Sequence, residues 1–191
     1  MKRSRIIFGV IILTMILGTN CSVFASSEKN QLITSENIID VLPEDVPEGV
    51  IPMEFDSEKE AMAFIDQYIN NIVIEEPAII LDQQTRATNK TILVGESDVG
   101  PTGSVKLFAN YGTSGSGSTG TITYIDPYTT FTGLTLGFDW KEKSLGYKIA
   151  SNKKDAYIYT SGQLDYYFIL SGGIKLGSRT IDIGRTCYLA R

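Results

Sequence analysis

The chain has 191 residues, a formal net charge of −5, two cysteines and no histidine. The absence of histidine excludes a Ser-His-Asp triad and any histidine-ligated zinc site. If an N-terminal export signal is removed, one cysteine is left, so the exported chain has no internal disulfide and a hydrophobic core must stabilise it.

The first 25 residues have the pattern of a secretory signal peptide. Three basic residues precede the apolar run from Ile6 to Leu17, and Val23–Ala25 place small or β-branched residues where a signal peptidase cleaves. The apolar run is shorter than the roughly 20 residues that span a membrane, which favours cleavage after Ala25 over retention as an anchor. We therefore expect a secreted, extracellular protein.

Charge divides the remaining chain into two parts. Residues 26–85 contain 14 acidic and two basic residues, for a net charge of −12, whereas residues 86–191 contain eight acidic and 12 basic residues, for +4. Parts of opposite charge attract each other, so residues 26–85 are expected to be an acidic leader or docking segment for the basic part. The basic residues are scattered along the sequence, which argues against binding to nucleic acid.

The acidic segment is expected to contain an extended stretch followed by one helix. Three prolines between Asp40 and Phe55 disfavour a helix there. Ser57 and Glu60 then have the spacing of a capping box, and apolar residues recur on one helical face as far as Ile72. The pattern predicts an amphipathic helix over residues 57–72. Its apolar face is expected to pack on the neighbouring domain, since a lone helix of this length is marginal in water.

The polar stretch Asp82–Thr91 joins the two parts. Within it, Arg86 is the one basic residue between Lys59 and Lys90. This composition fits an exposed linker, and it also fits a site that a trypsin-like protease can reach. Arg86 is therefore a candidate processing site, as is Ala25, and both interpretations of the stretch stay open.

Residues 86–191 have the pattern of a β domain. Apolar and polar residues alternate in successive runs, among them Val105–Tyr111 and Leu134–Trp140. The breaks between the runs are rich in Gly, Ser, Asn and Lys, which favours short turns. We therefore predict an all-β fold, an antiparallel sandwich or small barrel of about 7–9 strands. The acidic extended segment and the amphipathic helix precede it.

Two stretches carry a resemblance to a known group of proteins. Leu145–Ile183 has a Tyr-containing strand, a polar turn, an alternating strand with Thr-Ser-Gly, and a strand pair joined by Gly-Gly. Gly49–Tyr68 contains Pro-x-x-Phe-Asp-Ser followed by an acidic helical pattern. In both, the chain resembles small exported β domains of Gram-positive bacteria that are grouped as domains of unknown function. The resemblance implies export and a β fold, and it implies no activity, ligand or catalytic residue.

Three tyrosines are the candidate binding residues. Tyr157, Tyr159 and Tyr167 alternate with residues such as Ile158 and Phe168, so they face outward if the aliphatic phase faces inward. Exposed aromatic residues on strands can contact a glycan or a protein surface, although tyrosines in strands also pack against neighbouring strands. The sequence predicts no catalytic residue, cofactor or metal site.

Cys187 lies in the last predicted strand. We expect it to be a small buried apolar residue, with an intermolecular disulfide as the alternative. A nucleophilic role is disfavoured because no histidine is present to activate the thiol.

These patterns predict a secreted, non-enzymatic binding or interaction module at the bacterial cell surface or in the medium. The sequence leaves its ligand unassigned, and the candidate partners are a cell-wall glycan and a surface protein. The alternative is a bacteriocin-like or membrane-active effector that is activated by cleavage near Arg86. Only this alternative involves contact with a membrane.

Overall fold

A computed structural model describes residues 32–70, 79–82, 90–101, 103–133 and 136–190. Over these residues the chain forms one α-helix and nine β-strands, which make a six-stranded and a three-stranded sheet. The predicted all-β fold class is confirmed, and the total of nine strands is reached by six strands in residues 90–189 together with three in the acidic segment. The elements are β1 (Ile39–Val41), β2 (Met53–Phe55), α1 (Glu58–Ile65), β3 (Ile79–Leu81), β4 (Lys90–Val99), β5 (Gly103–Ser114), β6 (Thr121–Thr132), β7 (Phe138–Ile149), β8 (Asp155–Leu170) and β9 (Gly173–Leu189), with 3₁₀ turns at Ser35–Asn37, Pro43–Asp45 and Gly117–Thr119.

The hairpin of β8 and β9 is the centre of the six-stranded sheet. It closes with a two-residue turn in which Ser171 and Gly172 both have positive φ, as the twist of a tight hairpin requires. β7 pairs antiparallel with β8, and β2 pairs in parallel with the end of β8. On the other side, β1 pairs antiparallel and β3 in parallel with opposite ends of β9. The long strands β8 and β9 are therefore central in the sheet, and shorter strands pair with the outer edge of each.

The second sheet, β4–β5–β6, is an antiparallel meander. Register shifts at Leu93/Gly95 and at Gly112/Thr113 add local bends. This sheet packs on one face of the six-stranded sheet, and the side chains between the two sheets form a single core, as in a sandwich. The fully buried members include Val94, Val105, Leu107, Ile158, Leu164 and Ile183.

The helix begins where the sequence predicts it to begin. The Ser57 hydroxyl accepts a hydrogen bond from the backbone N–H of Glu60 at 3.3 Å, and the Glu60 carboxylate accepts one from the N–H of Asp56 at 3.2 Å. After α1, the chain continues as a π-helical turn over Asp66–Asn70. Positions 71 and 72 of the predicted helix lie outside the described residues. The apolar face buries Ala61, Ile65 and Ile69 in the core, as expected.

The acidic segment contributes to both the sheet and the core. Its three strands β1, β2 and β3 all pair with β8 or β9. The buried Arg179 guanidinium of β9 donates a hydrogen bond to the Ile69 carbonyl at the end of the π-helical turn. The segment is therefore attached by strand pairing and apolar burial in addition to charge. The predicted signal peptide, with Ala25, and the predicted processing site Arg86 lie outside the described residues.

Candidate functional site

Strands β7, β8 and β9 have one face in the core and the other toward solvent. Along β8, buried residues alternate with half-buried ones from Ala156 to Gln163. The three-stranded sheet and α1 both pack on the core side. We call the opposite side the outer face. Its residues on β8 are Tyr157, Tyr159, Ser161, Gln163, Asp165 and Tyr167.

Tyr157 and Tyr159 form a stacked pair on the outer face. Their ring centroids are 5.8 Å apart and their planes differ by 20°. The Tyr159 hydroxyl end lies over Gly146 of β7, where an added Cβ would be 2.9 Å from Oη. The Tyr157 hydroxyl end lies over Gly184 of β9, where an added Cβ would overlap Oη. Glycine at these two positions therefore lets both rings lean across the neighbouring strands.

Tyr167 lies on the outer face but is not accessible. Only 2% of its surface is exposed, so the prediction that this residue is accessible to a ligand is wrong. The physical reason is its surroundings, because Lys141, Asp165 and Asp139 lie close to its phenol. Burial raises the pKa of the Tyr167 hydroxyl, and Lys141 partly offsets that effect. The structure thus brings Tyr157 and Tyr159 together and leaves Tyr167 as a packing residue.

Asp165 is the centre of a polar network at the same end of the outer face. Its side chain is 2% exposed and lies 2.6 Å from Lys141 Nζ. Ser178 Oγ donates to the other carboxylate oxygen at 2.5 Å, and Gln163 Nε2 donates to it at 2.6 Å. We call these four residues the polar row.

The electrostatics of the polar row follow from these contacts. Burial acts to raise the pKa of Asp165, but the hydrogen bonds from Lys141, Ser178 and Gln163 outweigh it and hold the pKa below its usual value. The hydrogen bond to Asp165 raises the pKa of Lys141 to about 12. Both groups are therefore charged at neutral pH, and they neutralise each other.

Further contacts extend the polar row toward solvent. Lys143 Nζ donates to Gln163 Oε1 at 2.8 Å, and Lys141 Nζ also lies 3.5 Å from Asp139 Oδ2. Lys141 keeps half of its side chain exposed. The outer face thus combines a fixed aromatic pair with hydrogen-bonding groups whose positions are set by one another.

None of the four members of the polar row was a predicted site residue. The signal for Gln163 was present, since it shares the period-two phase of Tyr157 and Tyr159. Lys141 and Ser178 come from other strands, and their approach depends on the pairing register. That register includes a shift between Glu142 and Ser144 that the sequence does not indicate.

Other candidate chemistry is limited within the described residues. No group of three or more His, Cys, Asp or Glu side chains there could hold a metal ion. Cys187 is fully buried on β9 as a free thiol, and burial raises its pKa to about 11. Its predicted role as a buried apolar residue fits this position. In the part of the chain that the structure describes, no helix is long and apolar enough to cross a membrane.

Two cavities lie apart from the polar row. One, of about 410 Å³, lies beside Lys154 and Tyr188, and the other, of about 200 Å³, lies between α1 and Lys175. Each lysine is already engaged, since Lys154 donates to the Ser118 carbonyl and Lys175 to Asp40. Neither cavity contains a predicted binding residue, so the outer face is the stronger candidate.

Comparisons with known proteins add little to this site. No protein-family model matches the chain, and no curated protein matches it. A solved structure from Bacteroides thetaiotaomicron VPI-5482, described as a two-domain protein with unknown function, has 17% sequence identity and a TM-score of 0.35. The similarity covers 84% of this chain and 96% of that chain. A similarity at this level carries no argument about function.

Proposed function

We propose that this protein is a secreted, non-enzymatic module that binds a cell-wall glycan through the outer face of β7–β9. The stacked pair of Tyr157 and Tyr159 is the observation that carries the proposal. Sugar rings present C–H faces that pack on aromatic rings, and tyrosine offers an apolar ring together with a polar tip. Because both rings are held over glycines of the neighbouring strands, little conformational entropy is lost when a ligand packs on them.

The polar row supplies the second requirement of a glycan site. Sugar hydroxyls need donors and acceptors at fixed positions, and the partly exposed Lys141 and Asp139 can supply a donor and an acceptor beside their mutual contact. Gln163 lies four residues from Tyr159 on the same face, or roughly 13 Å along the strand. That spacing suits an extended ligand of several sugar units. Since Asp165 and Lys141 neutralise each other, the row favours a ligand without strong charge.

The state of Asp165 supports binding over hydrolysis. A glycosidase needs a carboxylic acid that is protonated at working pH, with its pKa raised, beside a second carboxylate. Asp165 has the opposite property, because three donors lower its pKa, and its side chain is almost fully buried. The nearby Asp139 shares the same lysine. This pair therefore suits a structural and hydrogen-bonding role.

The packing of the acidic segment favours this proposal over the alternative in which cleavage near Arg86 releases an active effector. It contributes three paired strands and the buried residues Ala61, Ile65 and Ile69. Loss of the segment would expose the apolar core and leave the edges of β8 and β9 partly unpaired. A free effector starting at Ala87 would thus be poorly folded. Export is supported by the basic residues and the apolar run that precede Ala25.

A co-sedimentation assay with insoluble cell-wall sacculi from a Gram-positive bacterium tests this proposal. The wild-type protein is expected to sediment with the sacculi. The variant Tyr157→Ala/Tyr159→Ala is expected to bind at least roughly tenfold more weakly, because both stacking rings are lost. Its matched control is Tyr147→Ala, which removes a tyrosine that is 43% exposed and lies on β7 in the opposite phase.

Circular dichroism of each variant confirms that the fold is retained. Failure of the folded wild-type protein to sediment would contradict the proposal. Equal sedimentation of the wild type and the double-tyrosine variant would also contradict it, because the outer face would then not be the site.

A further inference from the structure

The outward side of the three-stranded sheet has an aromatic pair of its own. Phe108 of β5 and Tyr128 of β6 are stacked, with ring centroids 5.4 Å apart and planes 15° apart. Leu93 of β4 is the cross-strand partner of Phe108. Leu93 is 44% exposed and Tyr128 is 37% exposed. These three residues, which we call the second row, cross the whole sheet on the side away from the core.

Polar pairs border the second row on both sides. On one side, the Thr91 hydroxyl donates to Asn110 Oδ1 at 2.6 Å. On the other side, Lys106 and Glu96 form an ion pair at 3.0 Å, and each is about one-third exposed. The register of β4 and β5 fixes this order of polar, apolar and polar rows. The arrangement resembles the outer face in its elements, namely a stacked aromatic pair beside mutually fixed polar groups.

The size of the second row indicates the kind of ligand that it can bind. Neighbouring strands are about 4.8 Å apart, so Leu93 and Tyr128 lie roughly 10 Å apart across the sheet. A stable protein interface buries about 800 Å² on each partner. An apolar strip of three side chains, bounded by polar pairs, is much smaller than that. It fits one or two rings of a small polar ligand with an apolar face.

We propose that Phe108 and Tyr128 form a second glycan contact, so that one molecule binds two glycan chains. The inference rests on the proposed function of the outer face and extends it. The core lies between the two sheets, so the second row and the Tyr157–Tyr159 pair point in opposite directions. Two ligands bound there are on opposite sides of the sandwich. The protein would thus cross-link glycan strands as well as bind them.

The test measures binding stoichiometry with a soluble probe, a hexamer of N-acetylglucosamine, by isothermal titration calorimetry. The wild type is expected to bind two hexamers per chain. Phe108→Ala/Tyr128→Ala and Tyr157→Ala/Tyr159→Ala are each expected to bind one, because each removes one aromatic pair. Tyr128→Ser serves as a milder variant, since this exposed side chain can be replaced with little effect on the core.

The outcomes separate the two proposals. One hexamer per wild-type chain, lost in Tyr157→Ala/Tyr159→Ala and retained in Phe108→Ala/Tyr128→Ala and Tyr128→Ser, would overturn the second contact and leave the proposed function intact. One hexamer lost in the Phe108 and Tyr128 variants alone would overturn the proposed function of the outer face. The second contact also predicts that the wild-type protein aggregates a suspension of sacculi, whereas neither double variant does. Aggregation by Phe108→Ala/Tyr128→Ala at the wild-type level would contradict the second contact.

Discussion

Replacement of Asp165 by Asn perturbs the polar row at its centre. Asn has nearly the shape of Asp, so packing is kept, but its side chain has one acceptor oxygen and one donor nitrogen. At present Lys141, Ser178 and Gln163 all donate to the carboxylate. In the variant at least one of these donors faces the amide N–H₂. The site is 2% exposed, so water cannot easily replace the lost acceptor.

The expected loss of stability in Asp165→Asn depends on how exposed the hydrogen-bond partners of Asp165 are. A hydrogen bond to a charged group contributes about 1.5–3 kcal/mol, and breaking a fully buried ion pair costs about 3–5 kcal/mol. Lys141 is half exposed and regains water when the pair is broken, so the upper range does not apply. We expect Asp165→Asn to lower the free energy of unfolding by about 2 kcal/mol. For a chain of this size that lowers the Tm by roughly 4–8 °C.

The pH dependence of the stability difference shows whether the charge of Asp165 is its cause. The pKa of Asp165 is lower in the folded chain than in the unfolded chain, so the ionised carboxylate stabilises the folded state. This contribution is complete above the unfolded pKa of about 3.9 and is lost as the pH falls through the folded pKa. The stability difference between wild type and variant should therefore be full at neutral pH and shrink as the pH falls below the unfolded pKa of about 3.9.

Urea unfolding followed by tryptophan fluorescence measures this difference. Trp140 is the only tryptophan in the chain and is the β7 partner of Leu164, next to Asp165. Asp126→Asn, at an exposed position on β6, is the control for loss of a surface carboxylate. A difference below about 0.5 kcal/mol at neutral pH, within the range of ordinary surface changes, would refute the reasoning. A difference that is constant from neutral to acid pH would also refute it.

Three further predictions concern other parts of the molecule. Gly184→Ala is expected to displace the Tyr157 ring and so weaken binding to sacculi. Gly173→Ala is the control, because an added Cβ there meets nothing nearer than 3.7 Å, and this variant should bind as the wild type does. Cys187, with its pKa raised to about 11 by burial, is expected to react with a thiol reagent at pH 8 roughly 100-fold more slowly in the folded than in the urea-unfolded protein. A chain that begins at Lys90 is expected to lack a cooperative urea transition, because the strands and buried helix face of the acidic segment are missing; a transition like that of the longer chain would contradict this.

The alternation of residues predicted much of the fold. Along β8 the even-numbered residues Ile158, Leu164 and Phe168 are all buried, as a period of two requires. The start of α1 was predictable because the cap is local, between Ser57 and Glu60. The pairing of the acidic segment was not, since β1, β2 and β3 have three residues each and their partners are distant in sequence. Such short strands have too few residues to display a period.

The candidate site was predicted in part, for a related reason. The phase of Tyr157 and Tyr159 is local and was readable, but the burial of Tyr167 depends on Lys141 and Asp139 from β7. The glycines under the tyrosine rings lie on other strands, so the rings' positions depend on the register of three strands. The stacking of Phe108 on Tyr128 likewise needs the pairing of β5 with β6. Long-range register is what sequence alternation leaves undetermined.

The most direct measurement is a residue-level map of ligand contact by ¹H–¹⁵N NMR, with the uniformly labelled protein titrated with the N-acetylglucosamine hexamer. The glycan proposal predicts shifts concentrated on the outer face, around Tyr157, Tyr159 and Gln163, with a second group around Phe108 and Tyr128. Shifts confined to other surfaces, or no shifts at saturating ligand, would contradict the assignment of the outer face as a glycan site.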